Sequence, residues 1–191
     1  MQRKLKVTEM GRATLETFRT QTKLPIVLVA DNLRSMHNVG ALLRTADAFA
    51  LDSVHLCGIT AQPPHPEIHK TALGAEDSVT WHYHNNTTQA LKQLHAMSYI
   101  IIALEITDQA LPLPQLTTWL STQQPSTPYP PVALIVGNEV RGVSDEALAQ
   151  CHHATAIPQW GTKHSLNVSV STGIALWELV RHYQHSYHKN D

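Results

Sequence analysis

Pro25-Ile-Val-Leu-Val-Ala-Asp-Asn-Leu-Arg-Ser-Met-His-Asn-Val-Gly-Ala-Leu-Leu-Arg44 is the stretch whose reading decides the fold. Its first six residues are a continuous apolar run, as expected of a strand buried on both faces of a parallel sheet. A polar turn follows. From Asn38 to Ala50, Val39, Leu42, Leu43, Ala46 and Phe49 then recur at helical spacing, with Asn38 placed to cap the helix. The alternation continues outward. Ser53 to Cys57, Ser78 to Tyr83, Tyr99 to Leu104 and Val132 to Val136 read as further strands, and Thr87–Met97 and Ser144–Gln150 as helices between them. This pattern predicts an α/β protein with a mainly parallel sheet flanked by helices. Pro63-Pro64-His65-Pro66 marks a turn. The stretch from Pro112 to Pro131, with six prolines, leaves room for a short helix and then a surface loop.

The chain has 191 residues, 42% of them hydrophobic and only 15% charged, with a net charge of −1. That composition excludes intrinsic disorder and suits one ordinary domain. Two cysteines, Cys57 and Cys151, make no disulfide framework, so a reducing compartment is expected. No apolar run approaches the roughly 18 residues of a membrane span, and no secretory signal is visible. A cytoplasmic protein is the expectation. The charge is unevenly spread. Residues 1–23 hold six basic side chains (Arg3, Lys4, Lys6, Arg12, Arg19, Lys23) against two acids (Glu9, Glu16), a local balance of +4. Leu5, Met10, Leu15 and Phe18 offer an apolar edge with which that segment would dock. The expected division is therefore a basic N-terminal segment, residues 1–24, and one domain, residues 25–191. Outside the segment the few cations cluster in motifs, as at a local anion site.

The last helix, about Asn167 to His185, carries Val168, Val170, Ile174, Ala175, Leu176, Trp177, Leu179 and Val180 around much of its circumference. A helix apolar nearly all round is buried on several sides, and a second subunit is a natural source of part of that burial.

Three segments carry chemistry. In the opening stretch, Arg44 lies one turn after Gly40 near a helix start, where free backbone N–H groups favour anions. An arginine there suits bidentate phosphate binding, although a surface pair with Asp47 would explain it equally. The second segment, Ala133-Leu-Ile-Val-Gly-Asn-Glu-Val-Arg-Gly-Val143, is a strand that breaks at Gly137, and ligands of open α/β sheets bind beyond such strand ends. The third, Ile157-Pro-Gln-Trp-Gly-Thr-Lys-His-Ser-Leu-Asn-Val-Ser-Val170, is a strand end, a glycine loop and a helix start. Taken singly, each is an ordinary turn or cap. Their joint occurrence in this order is not.

Asn38-x-Gly40-x-x-x-Arg44, the Gly137-Asn-Glu-x-x-Gly142 turn and Ile157-Pro-x-x-Gly-x-x-x-Ser-Leu-Asn-Val-Ser169 resemble the three motifs of the SpoU/TrmH RNA 2′-O-ribose methyltransferases, a branch of the SPOUT superfamily. The likeness runs from about Pro25 to Val180. Gln159 departs from it, standing where an apolar residue such as Met is expected. The resemblance implies a SPOUT fold with a C-terminal deep trefoil knot, S-adenosylmethionine as cofactor, tRNA or rRNA rather than DNA as substrate, a homodimer, and no metal. It implies cofactor contacts from Leu134, Ile135, Val136, Gly137, Asn138, Ile157, Pro158, Gly161, Ser165 and Leu166. It makes Asn38, Arg44, Glu139, Ser165 and Asn167 the catalytic group, and Arg34, Arg44, Arg141 and Lys163 the residues facing RNA. The chain has no G-x-G-x-x-G, which counts against a Rossmann enzyme.

A ribose 2′-hydroxyl must lose its proton as it attacks a methyl carbon, and alignment supplies much of the acceleration. With a pKa above about 12, an arginine is a poor base. Arg44 is better cast as a phosphate clamp that stabilises negative charge developing on the 2′-oxygen. A catalytically silent RNA-binding protein on the same scaffold is the alternative, as is a methyltransferase with another substrate. Of the 13 histidines, His82/His84, His152/His153 and His182/His185/His188 form suggestive sets, but no cysteine or carboxylate joins them at metal-ligand spacing. His37, His164 and Trp160 sit inside motifs where RNA would pass.

Overall fold

Alternate residues of the first strand, β1 (Leu24–Asp31), part to opposite faces of the sheet. Ile26, Leu28 and Ala30 join one buried cluster, and Val27 and Val29 join the other, which is why the run is apolar throughout. The computed structural model describes residues 2–123 and 129–187. A 3-10 turn (Val7–Glu9) and α1 (Leu15–Thr20) precede β1. There follow α2 (Met36–Ala48), β2 (Leu51–Cys57), α3 (Pro66–Ala72), α4 (Ala75–Ser78), β3 (Trp81–His84), α5 (Thr87–Ala96), β4 (Ile100–Leu104), β5 (Leu111–Pro112), α6 (Leu113–Gln123), β6 (Val132–Val136), α7 (Asp145–Leu148), β7 (His153–Ala156) and α8 (Val168–Tyr187).

The strands form one seven-stranded sheet in the order β3-β2-β1-β6-β4-β7-β5. Every pairing is parallel, as the alternation predicts. One face is covered by residues of α2, α3, α6 and α8, including Leu42, Leu43, Ile68, Leu116, Leu176 and Leu179. The other is covered by Ala90, Leu91 and Leu94 of α5 and Ala147 of α7.

Several expectations shift. Ser78 ends α4 rather than opening a strand, because its hydroxyl donates to Asp47 Oδ1 at 2.5 Å and to Ala75 O at 3.1 Å. Pro66 begins a helix, a position where its missing N–H costs nothing, and His65 caps that helix. The proline-rich stretch contains β5 and all of α6, and of its loop residues 124–128 lie outside the described residues. β7 was visible in the sequence only as a strand end. Leu5, Met10 and Leu15 are exposed, so the apolar docking edge is not formed. The segment is instead joined to α4 by Arg19, while Lys23 closes an internal contact. Arg19 donates to Asp77 O through Nη2 (2.5 Å) and Nε (3.2 Å), and Lys23 donates to Phe18 O at 2.5 Å while lying over the Phe18 ring. No helix among the described residues is long and apolar enough to cross a membrane.

In α8, Ala175, Leu176, Leu179, Val180 and Tyr183 are buried within the chain, and the Tyr183 hydroxyl donates to Pro130 O. Val170, Ile174 and Trp177 remain 51%, 41% and 51% exposed. The chain therefore covers one side of this helix and leaves an apolar side open. His188 lies outside the described residues, as does the His185 side chain.

Candidate active site at the carboxyl ends of the central strands

Because all strands run parallel, their carboxyl ends share one edge of the sheet. β1 is flanked by β2 on one side and β6 on the other, so the strand order reverses there and the loops leaving β1 and β6 diverge to open a crevice. Asp31, the last residue of β1, is fully buried and anchors this point. Its Oδ1 accepts from Asn32 Nδ2 (2.7 Å) and the Thr87 hydroxyl, and its Oδ2 from Ser144 N (2.7 Å). One carboxylate thus ties β1, α5 and the segment after β6 together. Asn138 adds a second tie: Nδ2 donates to Asn32 O at 2.7 Å, while Oδ1 accepts from Val140 N and Arg141 N at 2.9 and 3.1 Å.

Glu139 projects from that turn onto the start of α2. Its Oε2 accepts from Arg34 N at 2.9 Å, and its Oε1 from Ser35 N at 3.0 Å and Asn38 Nδ2 at 2.8 Å. Partial burial pushes the carboxyl pKa upward, but the hydrogen bonds from Arg34, Asn38 and Ser35 outweigh it and hold the group below the usual carboxylate range. An ionised carboxylate with three donors on it is a poor proton acceptor and a good brace. Asn38 does not cap α2. Ser35 does, its Oγ accepting from Asn38 N at 3.3 Å, and this frees the Asn38 amide to face the crevice. Asn38 Oδ1 accepts from Asn167 Nδ2 at 3.3 Å, and Asn167 Oδ1 accepts from Ser169 N at 2.9 Å and Val170 N at 3.4 Å at the head of α8. A chain of hydrogen bonds, Glu139–Asn38–Asn167, therefore joins residues from all three sequence segments.

Beside it lies a cavity of about 560 Å³, lined by residues 104–106, 136–142, 155–157 and 164–168, with Gln159 and Ser171. Of the expected cofactor residues, Val136, Gly137, Asn138, Ile157, Ser165 and Leu166 line it. Pro158 and Gly161 do not, and Leu134 and Ile135 are fully buried within β6, where they serve the core. Glu139, Ser165 and Asn167 line the cavity, and Asn38 reaches it through its two hydrogen bonds. Arg44 is on the exposed side of α2 and does not line it. Sequence reasoning missed Leu104, Glu105 and Ile106, and also Thr155 and Ala156. The signal was available: they stand at the carboxyl ends of β4 and β7, and the rule applied to β1 and β6 holds for them too.

Two glycines prove to have structural duties. A Cβ on Gly137 would lie 2.1 Å from Gly142 C and Val143 N, and one on Gly40 would lie 2.2 Å from Ile68 O. Gly137 lets its own turn close, and Gly40 lets α2 settle on α3. The four motif cations are all exposed. Among the described residues, Arg34, Arg44, Arg141 and Lys163 have no ion pair, and the alternative Arg44–Asp47 surface pair is not formed, whereas Lys70 and Arg181 are paired to Glu67 and Glu178. No group of three or more His, Cys, Asp or Glu among the described residues is placed to hold a metal.

A parallel α/β sheet with a loop-lined cavity at its switch point, bordered by Arg141, is the arrangement of an open-sheet protein that binds a small molecule beyond its strand ends. Residues 25–177 match the SpoU rRNA Methylase family, and the chain belongs to that family. It is 35% identical over 182 residues to the 23S rRNA (guanosine-2′-O-)-methyltransferase RlmB of Nitrosomonas europaea, covering 94% of this chain and 65% of that protein. It thus spans about two thirds of that relative's length. The crystal structure of the A. aeolicus TrmH/SpoU tRNA modifying enzyme superposes with a TM-score of 0.73 at 26% identity, covering 90% of this chain and 81% of that one. The AdoMet-bound rRNA methyltransferase from Sinorhizobium meliloti superposes with a TM-score of 0.72 at 26% identity, covering 91% and 62%.

Proposed function

We propose that this protein methylates RNA, transferring the methyl group of S-adenosylmethionine (AdoMet) to a ribose 2′-hydroxyl. The observation that carries this reading is the Glu139–Asn38–Asn167 hydrogen-bond chain, which draws the three motif segments to the rim of one cavity. A volume of about 560 Å³ suits a cofactor of this size, since such pockets run from roughly 300 to 1,000 Å³. Gly137, Ile157, Ser165 and Leu166, with the backbone of their loops, would hold it. When bound, it supplies an electrophilic methyl group.

The chain's own residues do the rest. Glu139 fixes the head of α2, Asn38 and Asn167 orient the ribose, and Ser165, whose hydroxyl has no hydrogen bond among the described residues, offers a donor or acceptor to the ligand. Arg44 holds RNA phosphate and stabilises charge developing on the 2′-oxygen. Arg34, Arg141 and Lys163, exposed and unpaired, extend the phosphate contacts. Residues 1–24 serve as a brace that also carries charge: Arg19 docks on Asp77, Lys23 folds back onto Phe18 of the same segment and Arg3 pairs with Glu9, which leaves Lys4, Lys6 and Arg12 for RNA. A C2 homodimer joined through the open side of α8, a C-terminal trefoil knot around the cavity, and work in the cytoplasm complete the reading. Relatives named for 23S rRNA and a structural neighbour named for tRNA support RNA as the substrate class.

Nucleoside mapping of tRNA and rRNA from a deletion strain tests this. One 2′-O-methylnucleoside should disappear and return on complementation. An unchanged profile, with RNA binding intact, would favour a silent binding protein instead.

A further inference from the structure

Glu105, the first residue beyond β4, is a cavity-lining carboxylate that the motifs leave without a role. Its backbone is fixed by an N–H bond to Thr155 O at 3.0 Å. Its Oε1 accepts from Ile106 N at 2.9 Å and its Oε2 from Val143 N at 2.8 Å. Gly142, with φ +72, lies directly against it, and a Cβ there would come within 2.2 Å of Oε2. The side chain is therefore held in one place, with its negative charge at the cavity wall.

Among the described residues, the only other carboxylate lining the cavity is Glu139. Its oxygens are committed to three donors around the head of α2. Glu105 makes two hydrogen bonds, and an ionised carboxylate has about four acceptor positions, so capacity remains toward the cavity.

We infer that Glu105 is a specificity-determining residue, biasing the cavity toward the positively charged cofactor over its neutral demethylated product. The inference rests on the methyltransferase reading. AdoMet carries a sulfonium cation, and S-adenosylhomocysteine has an uncharged thioether at the same place. The two share the zwitterionic amino-acid tail and the adenosine and differ by one methyl group and one positive charge, so a fixed carboxylate at the cavity wall attracts the first more than the second. The benefit is twofold: the site fills with methyl donor, and it releases product after transfer.

Calorimetry on the full chain tests this, with AdoMet, S-adenosylhomocysteine and sinefungin, whose amine keeps a cation in place of the sulfonium. Glu105→Gln should weaken AdoMet and sinefungin more than S-adenosylhomocysteine, narrowing the AdoMet preference at least threefold. Glu105→Asp, which keeps the charge, should retain most of that preference even where all affinities fall. A preference unchanged in Glu105→Gln, or parallel loss of all three ligands, would show that Glu105 merely braces the loop and overturn the inference. Failure of the wild-type chain to bind AdoMet would instead count against the methyltransferase reading itself.

Discussion

Arg44 stands exposed on α2, with no carboxylate engaged although Asp47 lies one turn away. Asp47 instead accepts from the Ser78 hydroxyl. An arginine left unpaired beside such a neighbour contributes little to the fold, so its replacement separates chemistry from stability. Arg44→Ala should abolish methyl transfer while leaving AdoMet affinity within a few-fold and stability within about 0.5 kcal/mol. Arg44→Lys should fail as well, because a point charge does not reproduce the planar fork. Single-turnover assays, calorimetry and urea denaturation check this, and near-normal turnover in either variant contradicts the role. Gly137 is a poorer probe of the cofactor site than Arg44 is of the chemistry. A side chain there collides with the backbone of its own turn, so lost cofactor binding in Gly137→Val would report a distorted loop rather than a missing contact.

At the scale of elements, the β2–β3 edge holds a histidine cluster. His55 Nδ1 and His84 Nε2 lie 3.0 Å apart with their rings stacked, and His82 meets His55 edge-on at 5.2 Å between centroids. A hydrogen bond between two imidazoles needs at least one neutral ring to accept, so the pair cannot hold when both are protonated. Burial, and then the neighbouring His84 and His82, push the His55 pKa down to about 4, and burial and His82 lower that of His84. In the unfolded chain both would titrate near 6.5. As pH falls from about 6.5 toward 4, the unfolded state takes up protons that folded His55 refuses, so stability falls with pH. The loss should approach about 1.4 kcal/mol per pH unit from His55 alone, read from urea midpoints at pH 7 and pH 4.5. Replacing His55 by glutamine should flatten that slope. An equal slope in the variant would assign the acid sensitivity to other groups.

The molecule as a whole leaves Val170, Ile174 and Trp177 open along α8, and Trp160, in the loop before it, is 93% exposed. Exposed large apolar side chains grouped on one helix mark an interface. Light scattering at micromolar concentration should give about twice 21.2 kDa, and Trp177→Asp should shift the protein toward monomer. An active wild-type monomer would rule out the dimer as the working unit.

The sequence alone determined the class of fold, because a strand buried on both faces must be apolar at every position and helices must alternate at a different period. Pro25–Ala30 and Val132–Val136 therefore announced a parallel sheet without any tertiary information. The motif residues were legible for a similar reason: Gly137, Asn138, Glu139 and Asn167 are polar or small residues punctuating apolar elements. What they touch was not legible. Asn38 stands where the spacing predicts a cap, but Ser35 fills that place and the Asn38 amide bridges Glu139 and Asn167, 101 and 129 residues away. The resemblance makes Gly137 a cofactor contact, yet its missing side chain, like that of Gly40, admits a neighbouring backbone. Glu105 stands at the end of a strand that could be read, but its part in the cavity depends on β4 lying between β6 and β7. Periodicity is a property of each segment and can be read along the chain. The order in which strands pair, and hence which strand ends share a cavity, is set by long-range packing and exists only in the folded molecule.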